Sequence, residues 1–521
     1  MSEEMKDTSN IMEAAAADNA EQTALLEFTE QEILDYEEGE LTKKEKAKFL
    51  FLSPLVNSII KFSLIGLGLI AAIFWLLAAV VPGFSDSMVG LYNGFSTVVS
   101  AINNIIPFSV MEIAIILTVL GWLGYLIFIL VRFIQTHKKG KLLATRLWIQ
   151  FGYATLAVVM VYTMLFSFGY GIMNNRTSFH KATATDGAMM YDYTINPNEN
   201  DISETMLYLV DKLNTTVIES NEGETDHIVY NTTSGASKVN IAGNTDARKA
   251  KLAAAVSDAF QKAAEEIPAL KGPKLTPKAM LAGPIYNAMS VGSMYAPLTG
   301  EVLYNPNFPE IAIPMLVARA IAMERGFQNE DQANMIAYIV LTEYSDVPYV
   351  QYSAYFDAYV NTGNYMARCN IHTYATVASA LKVQIKKEVV YYTKTLDKIF
   401  GNSSAIQFAD DGTIQTPDAD YLVFPELLTD FYRNNVSKVV DASIERKCGY
   451  YVNGIIDLWR QDADWQDNVD AVVAQYNEYK EEIVQETIEN ITTKTEEAPA
   501  EGTEGTEGAE GTEGTDAETA A

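Results

Sequence analysis

Side chains able to do chemistry are sparse in this chain of 521 residues, and they do not fall into familiar constellations. Of its four histidines, His180, His227 and His372 lie beyond the last long apolar segment. None belongs to an H-x-x-H or H-x-x-x-H pair, the spacing that puts two imidazoles on one helical face for zinc. The two cysteines, Cys369 and Cys448, form no C-x-x-C pair and have no catalytic neighbour in sequence. They are compatible with a disulfide in an oxidising compartment or with two buried thiols. A G-x-S-x-G elbow and a Gly-rich phosphate loop are both missing. Glu301, Glu324, Glu330 and Asp331 are of the type that holds a hard ion such as calcium, although acidic side chains are more commonly just solvated. No metal or other cofactor is expected.

The elements that must position these groups begin with three apolar runs, Phe62–Val81, Val110–Phe133 and Leu147–Ile172. Each is long enough to cross a hydrocarbon core of ~30 Å at ~1.5 Å per residue. Lys43, Lys44, Lys46, Lys48 and Lys61 precede or edge the first run. Arg132, Lys138, Lys139, Lys141 and Arg146 fill the second connection, whereas Pro82–Ser109 has no basic residue. The positive-inside rule then places the N-terminus and second connection in the cytoplasm and everything after Ile172 outside. The first run serves as an uncleaved targeting signal, because the leader before it has no apolar h-region. Trp75, Trp122 and Trp148 suit packing or interfacial anchoring equally well.

The formal charge of −30 excludes the basic surface on which nucleic-acid binding depends. Four segments are expected: a disordered acidic cytoplasmic leader over 1–50, with a short helix at Thr29–Tyr36; three transmembrane helices over 51–173; a large extracytoplasmic domain over 174–493; and a disordered Glu/Gly/Thr tail over 494–521. The first connection carries Val89, Tyr92, Phe95, Val98, Ile102, Ile105 and Ile106 at helical spacing. It reads either as a helix lying along the membrane interface or as one packed on the bundle. The large domain is mainly α. Apolar periodicity predicts helices over Asp201–Ile218, Asp246–Ile267, Ile311–Arg325, Asp331–Glu343, Tyr349–Asn361, Thr373–Phe400, Leu422–Asn435, Cys448–Arg460 and Asn468–Asn490. A hairpin fits within Asn221–Gly243, and Glu301–Tyr304 and Ala405–Phe408 are strand candidates.

Several short pieces, in order, resemble the bacterial membrane family called domain of unknown function 3810. Pro107-Phe108-Ser109 opens the second span. Gly171 to Arg176 is similar to the family's W-G-L-N-Y-x-R exit from the third, without the tryptophan. Pro273-Lys274, Gly292, Tyr295, Pro297 and Thr299-Gly300-Glu301 lead to the central helix, and Asp331, Ala333, Asn334, Ala337 and Tyr338 follow it. The resemblance implies three spans and an extracytoplasmic zinc-peptidase-like (zincin-like), mostly helical domain with minor β. The family helix is similar to H-E-x-A-H-Q-x-G-F, followed by E-A-N. Ala322, Arg325, Gly326 and Phe327 set the alignment. The first histidine then falls on Arg319, the glutamate on Ala320, the second histidine on Met323, the glutamine on Glu324, and the glutamate of E-A-N on Gln332.

The two histidines of such a site bind zinc and the glutamate activates its water. Arginine stays charged, alanine has no functional group and a thioether is a poor zinc ligand. The resemblance therefore implies a pseudo-peptidase with no catalytic residue left. Arg319 either pairs with Glu301, Glu330 or Asp331 or faces solvent. The implied function is a membrane-anchored domain binding a peptide, cell-wall fragment or protein partner through the old cleft, with Tyr295, Thr299, Gly300, Glu301, Glu330, Asp331 and Tyr338 as cleft residues and Thr299–Tyr304 as its lip. The tyrosines between Tyr338 and Tyr365 either line that groove or pack between helices. A hydrolase with a non-standard site and a structural role in envelope assembly are the alternatives.

Overall fold

A computed structural model describes residues 55–137, 141–183, 191–222, 228–289, 291–400, 407–408, 414–415, 450–461 and 474. The leader, the tail, the helices expected at Thr29–Tyr36, Leu422–Asn435 and, apart from residue 474, Asn468–Asn490, and His227 and Cys448 lie outside these residues.

Three helices are long and apolar enough to cross a membrane: α1 (Leu55–Val80), α3 (Val110–His137) and α4 (Lys141–Phe166), the last continuing through single π and 3₁₀ turns to Asn175. Helix α4 packs against both α1 and α3. Their outward side chains are apolar, with Leu76, Leu117 and Ile127 largely exposed, the pattern expected of surface that meets lipid. Polar contacts face inward: Trp122 Nε1 donates to Thr155 Oγ1 at 2.9 Å and the Thr118 and Tyr162 hydroxyls meet at 2.9 Å. Trp122 is thus a packing residue. Between α1 and α3 runs α2 (Phe84–Asn103).

The large domain is mostly helical. Its helices are α5 (Glu199–Glu222), α6 (Thr245–Glu266), the short α7 (Gly283–Ala288), α8 (Ile313–Glu324), α9 (Glu330–Glu343), α10 (Pro348–Cys369), α11 (Ile371–Ser379), α12 (Val383–Phe400) and α13 (Tyr450–Gln461). Helices α8 and α9 sit at its centre, against α6, α10 and α13, around one core that includes Val317, Ile321, Ile336 and Val340, all at 0% exposure. The expected hairpin is β1 (Ile228–Tyr230) paired antiparallel with β2 (Ser237–Val239).

Two elements differ from the sequence reading. Thr373–Phe400 is two helices, because the Asn214 side chain donates to the Ala380 carbonyl (3.1 Å) and accepts from the Lys382 amide (3.0 Å). A tertiary contact supplies the helix-breaking hydrogen bonds, with no Gly or Pro in the local sequence. The second difference concerns the sheet, whose order is β3 (Lys278–Ala279), β5 (Glu301–Tyr304), β4 (Ser293–Ala296). Strand β5 is central, parallel to β3 and antiparallel to β4. The stretch expected to be a cleft lip therefore has ladder partners on both sides, and the edge strand over α8 is β4.

Candidate functional site

Helix α8 is IPMLVARAIAME, entered through a 3₁₀ turn at Glu310–Ala312 with Pro314 in its first turn, where a missing N–H costs nothing. Leu316, Arg319 and Met323 are its half-buried positions and the rest are buried. Spaced three and four apart, they form one stripe. The helix closes in a Schellman motif: Gly326 N–H donates to Met323 O (2.9 Å) and Phe327 N–H to Ala322 O (3.2 Å). Gly326 has φ +97°, and a Cβ there would come within 2.8 Å of Val89 on α2. Glycine is needed for the turn and for the approach of α2.

The C-terminal end of α8 is sealed against the membrane segments. Glu324 is 0% exposed and accepts from Ser96 Oγ of α2 at 2.5 Å and from Arg325, itself 1% exposed. Arg325 also donates to Pro273 O at 2.7 Å. Arg176, just past the last span, reaches the Arg325 carbonyl and lies 3.9 Å over the Phe327 ring. Gln332 Oε1 accepts from the Phe179 amide at 3.1 Å.

Thr299-Gly300-Glu301 and Tyr295 belong to the same seam. Glu301 accepts from the Val110 and Met111 amides (3.0 and 2.9 Å), the first turn of α3, and from Lys278 Nζ (2.6 Å) and Thr299 Oγ1 (2.7 Å). It caps a span from outside that span, satisfying N–H groups that a helix start leaves free. Burial pushes the Glu301 carboxyl up, but Lys278 and these hydrogen bonds outweigh it and hold the group below its usual value. Reciprocally, the Glu112 carboxylate on α3 accepts from the Leu281 and Ala282 amides at 2.9–3.0 Å. Asn103 Nδ2 donates to the Thr299 carbonyl at 2.5 Å, and the Tyr295 hydroxyl donates to Gly169 O at 3.2 Å. Tyr295, Thr299 and Glu301 are buried and so form the seam, not a cleft wall; Gly300, with φ +59°, faces Ser96. Tyr338 is likewise in the core, its ring against Tyr355, Tyr451 and Trp459. Tyr349, Tyr352 and Tyr359 are core residues too, which answers most of the tyrosine question in favour of packing.

The other end of the stripe is open. Arg319 Nη1 donates to Glu330 Oε1 at 2.7 Å and Nη2 to Ser293 Oγ on β4 at 3.3 Å. Glu330 and Asp331 occupy the first turn of α9, whose N-cap Asn329 accepts from the Gln332 amide at 3.0 Å. Asp357 of α10 completes the group. Burial raises its carboxyl to about 6, against the hydrogen bond from Tyr451 (3.0 Å), the charge of Arg319 and the hydrogen bond from the Asn361 side-chain amide (3.1 Å). Tyr392 also feels both Asp357 and Arg319. Asp357, Tyr392, Tyr451 and Ser293 had no sequence signal beyond Asp357's place as the one acid in a tyrosine-rich helix. Ala320 is 0% exposed and turned into the core, while Met323 bridges the core to Val89, Tyr92, Met173 and Tyr295.

A separate cavity of about 330 Å³ lies beside the β1–β2 hairpin, lined in part by Tyr230, Ser237, Arg248, Lys249, Glu310 and Tyr391. Arg248 is held by Glu310 (3.0 Å), and Lys249 by the Pro306 and Phe308 carbonyls. Behind it Glu388, 0% exposed, accepts from Ser237 and from Tyr352 (2.6 Å), with Tyr230 donating on to Tyr352 (3.0 Å). Burial raises Glu388 to about 7 in spite of these hydrogen bonds. Among the described residues no group of three His, Cys, Asp or Glu side chains is arranged to hold a metal ion. His180 is buried beside Tyr193, and burial takes it down to about 4.

No curated protein and no solved structure matches this chain. Residues 88–410, from α2 through the large domain to the short strand after α12, match the family described as protein of unknown function DUF3810. The chain is a member of that family.

Proposed function

We propose that the large domain is a zinc-peptidase-like, extracytoplasmic pseudoenzyme that binds an extended peptide segment of a partner, without zinc catalysis, on the open stripe of α8 beside edge strand β4. The observation that carries this reading is the setting of Arg319. It stands where the family resemblance puts a zinc-binding histidine, it is held by Glu330 and Ser293, and its charge acts on the Asp357 carboxyl. A fixed cation there takes over the charge of a metal without its Lewis acidity or its bound water. An edge strand supplies main-chain hydrogen bonds to an extended peptide, and an adjacent, partly exposed guanidinium fixes its carboxylate or carbonyl groups.

The test uses the full chain in nanodiscs against a panel of labelled extended peptides. Binding should fall at least tenfold in Arg319→Glu, with no cleavage in wild type with or without added zinc. Cleavage that a chelator abolishes would establish the hydrolase reading instead. A structural role in envelope assembly draws on a different observation, the carboxylates buried in the seam, and predicts no peptide binding in either protein.

A further inference from the structure

Helix α2 has three faces. Ser85, Val89, Tyr92, Ser96, Ser100 and Asn103 are buried on one face, where the Ser85 hydroxyl donates to the Ile172 carbonyl at the exit of the third span (2.8 Å). This face meets the domain through hydrogen bonds: Ser96 to Glu324, Tyr92 to the Pro297 carbonyl (3.1 Å) and Asn103 to the Thr299 carbonyl. A second stripe, Leu91, Phe95, Val98 and Ile102, continued by Ile105 just past the helix end, advances by four and three residues and is 47–82% exposed. At about 100° per residue it is centred about 140° around the helix from the domain face. Between the two lies an exposed small and polar face that includes Gly90, Gly94 and Thr97. A helix that needed only to dock on the domain would have no use for the second stripe.

The path of the chain fixes what that stripe meets. Residues 81–83 join α2 to the end of α1, and residues 104–109 join it to the start of α3. Both ends of α2 are therefore held at the ends of spans on one side of the bilayer, so its ~30 Å length runs along that surface. Phe108, in the connection from α2 to α3, is also exposed. The domain contributes at the same level. Leu281, Ile285 and Met289 on and around α7 are more than half exposed, and the amides of Leu281 and Ala282 bind Glu112 in the first turn of α3. Helix α2 contains no Lys or Arg, so hydrocarbon burial and not attraction to anionic headgroups is its means of binding.

We propose that α2 is a membrane-surface helix whose Leu91, Phe95, Val98 and Ile102, with Ile105 just beyond its end, enter the acyl region of the leaflet on the domain's side. The domain is thereby seated on the bilayer through a helix that is lipid-facing on one stripe and domain-facing on another. This rests on the seam and the spans and not on the peptide-binding reading.

The experiment places a nitroxide label at Val98→Cys or Ile102→Cys in the full chain, with Cys369 and Cys448 replaced by serine, in phosphatidylcholine vesicles. Gly94→Cys is the polar-face control and Ile127→Cys in α3 is the lipid reference. Power-saturation spectroscopy should give both stripe sites an oxygen-to-nickel-chelate accessibility ratio close to that of 127 and several-fold above that of 94. Open access of nickel chelate at 98 and 102 would put the stripe in water. Exclusion of both reagents there would mean that protein, such as a second copy, covers it. Either result overturns the proposal.

Discussion

Two ion pairs share helix α8, about one and a half turns apart, and their surroundings could hardly differ more. Arg325 and Glu324 have side chains 1% and 0% exposed and lie within the seam to α2. Arg319 and Glu330 are 19% and 47% exposed and border an edge strand. A buried pair is costly to break because the surviving charge is left in a medium that cannot solvate it, whereas a half-exposed pair yields its partner to water or to a ligand. One end of the helix anchors the domain. The other holds a partly exposed pair and is the end to which the proposed function assigns the exchange of Glu330 for a ligand's group.

The widest separation between the ends comes from their alanine variants. Glu324→Ala strands Arg325 and removes the acceptor of Ser96, and should cost the domain ~3–5 kcal/mol in denaturant unfolding of the full chain in detergent. A loss comparable to that of a surface control would show that the seam does not hold the domain.

Glu388 sharpens the contrast, being a buried carboxylate held by hydroxyls in place of an arginine. Its folded value, about 7, lies above the ordinary 4.5. The stability it contributes is complete below about 4.5 and is lost as the pH rises through about 7. Glu388→Gln should therefore gain stability relative to wild type between pH 5 and 8, by an amount on the order of 3 kcal/mol. Parallel pH profiles of the two proteins would contradict the burial argument.

Gly326→Ala tests the seam more gently. It puts a side chain at φ +97° and against Val89, and should cost about 1–3 kcal/mol. Val89→Ala should recover part of that loss if the contact with α2 contributes to it. The smallest stability effect belongs to Arg319→Ala, under ~1 kcal/mol. That variant should nevertheless lose most peptide binding, so stability and binding separate at this end and not at the other.

Sequence reading found the spans from the length of their apolar runs, the hairpin from a turn-rich segment, and the helices from a period of 3.6, as for Glu199–Glu222, expected over Asp201–Ile218. It also found the apolar spacing of α2, but it put the buried Val89 and Tyr92 on one face with the exposed Phe95, Val98 and Ile102 and missed Leu91. Nor did it show that Ser96, Ser100 and Asn103 would dock, since polar residues carry no sign of what they will meet. The break at Ala380–Lys382 was hidden because Asn214, more than 160 residues earlier, creates it. Tyr349–Asn361 extends to Cys369 because Gly363 is packed against Tyr374 and so does not end the helix. Around the site, Arg319 and Glu330 were legible through the family pattern. Asp357 and Tyr451 were not, as they come from separate helices brought together by the core.

The most direct test of the account is the metal content of the full chain after loading with zinc and exhaustive dialysis. With Arg319, Ala320, Met323 and Gln332 in place of ligands and base, it predicts no stoichiometric zinc. Retention of about one zinc per chain, lost only to a chelator, would contradict it.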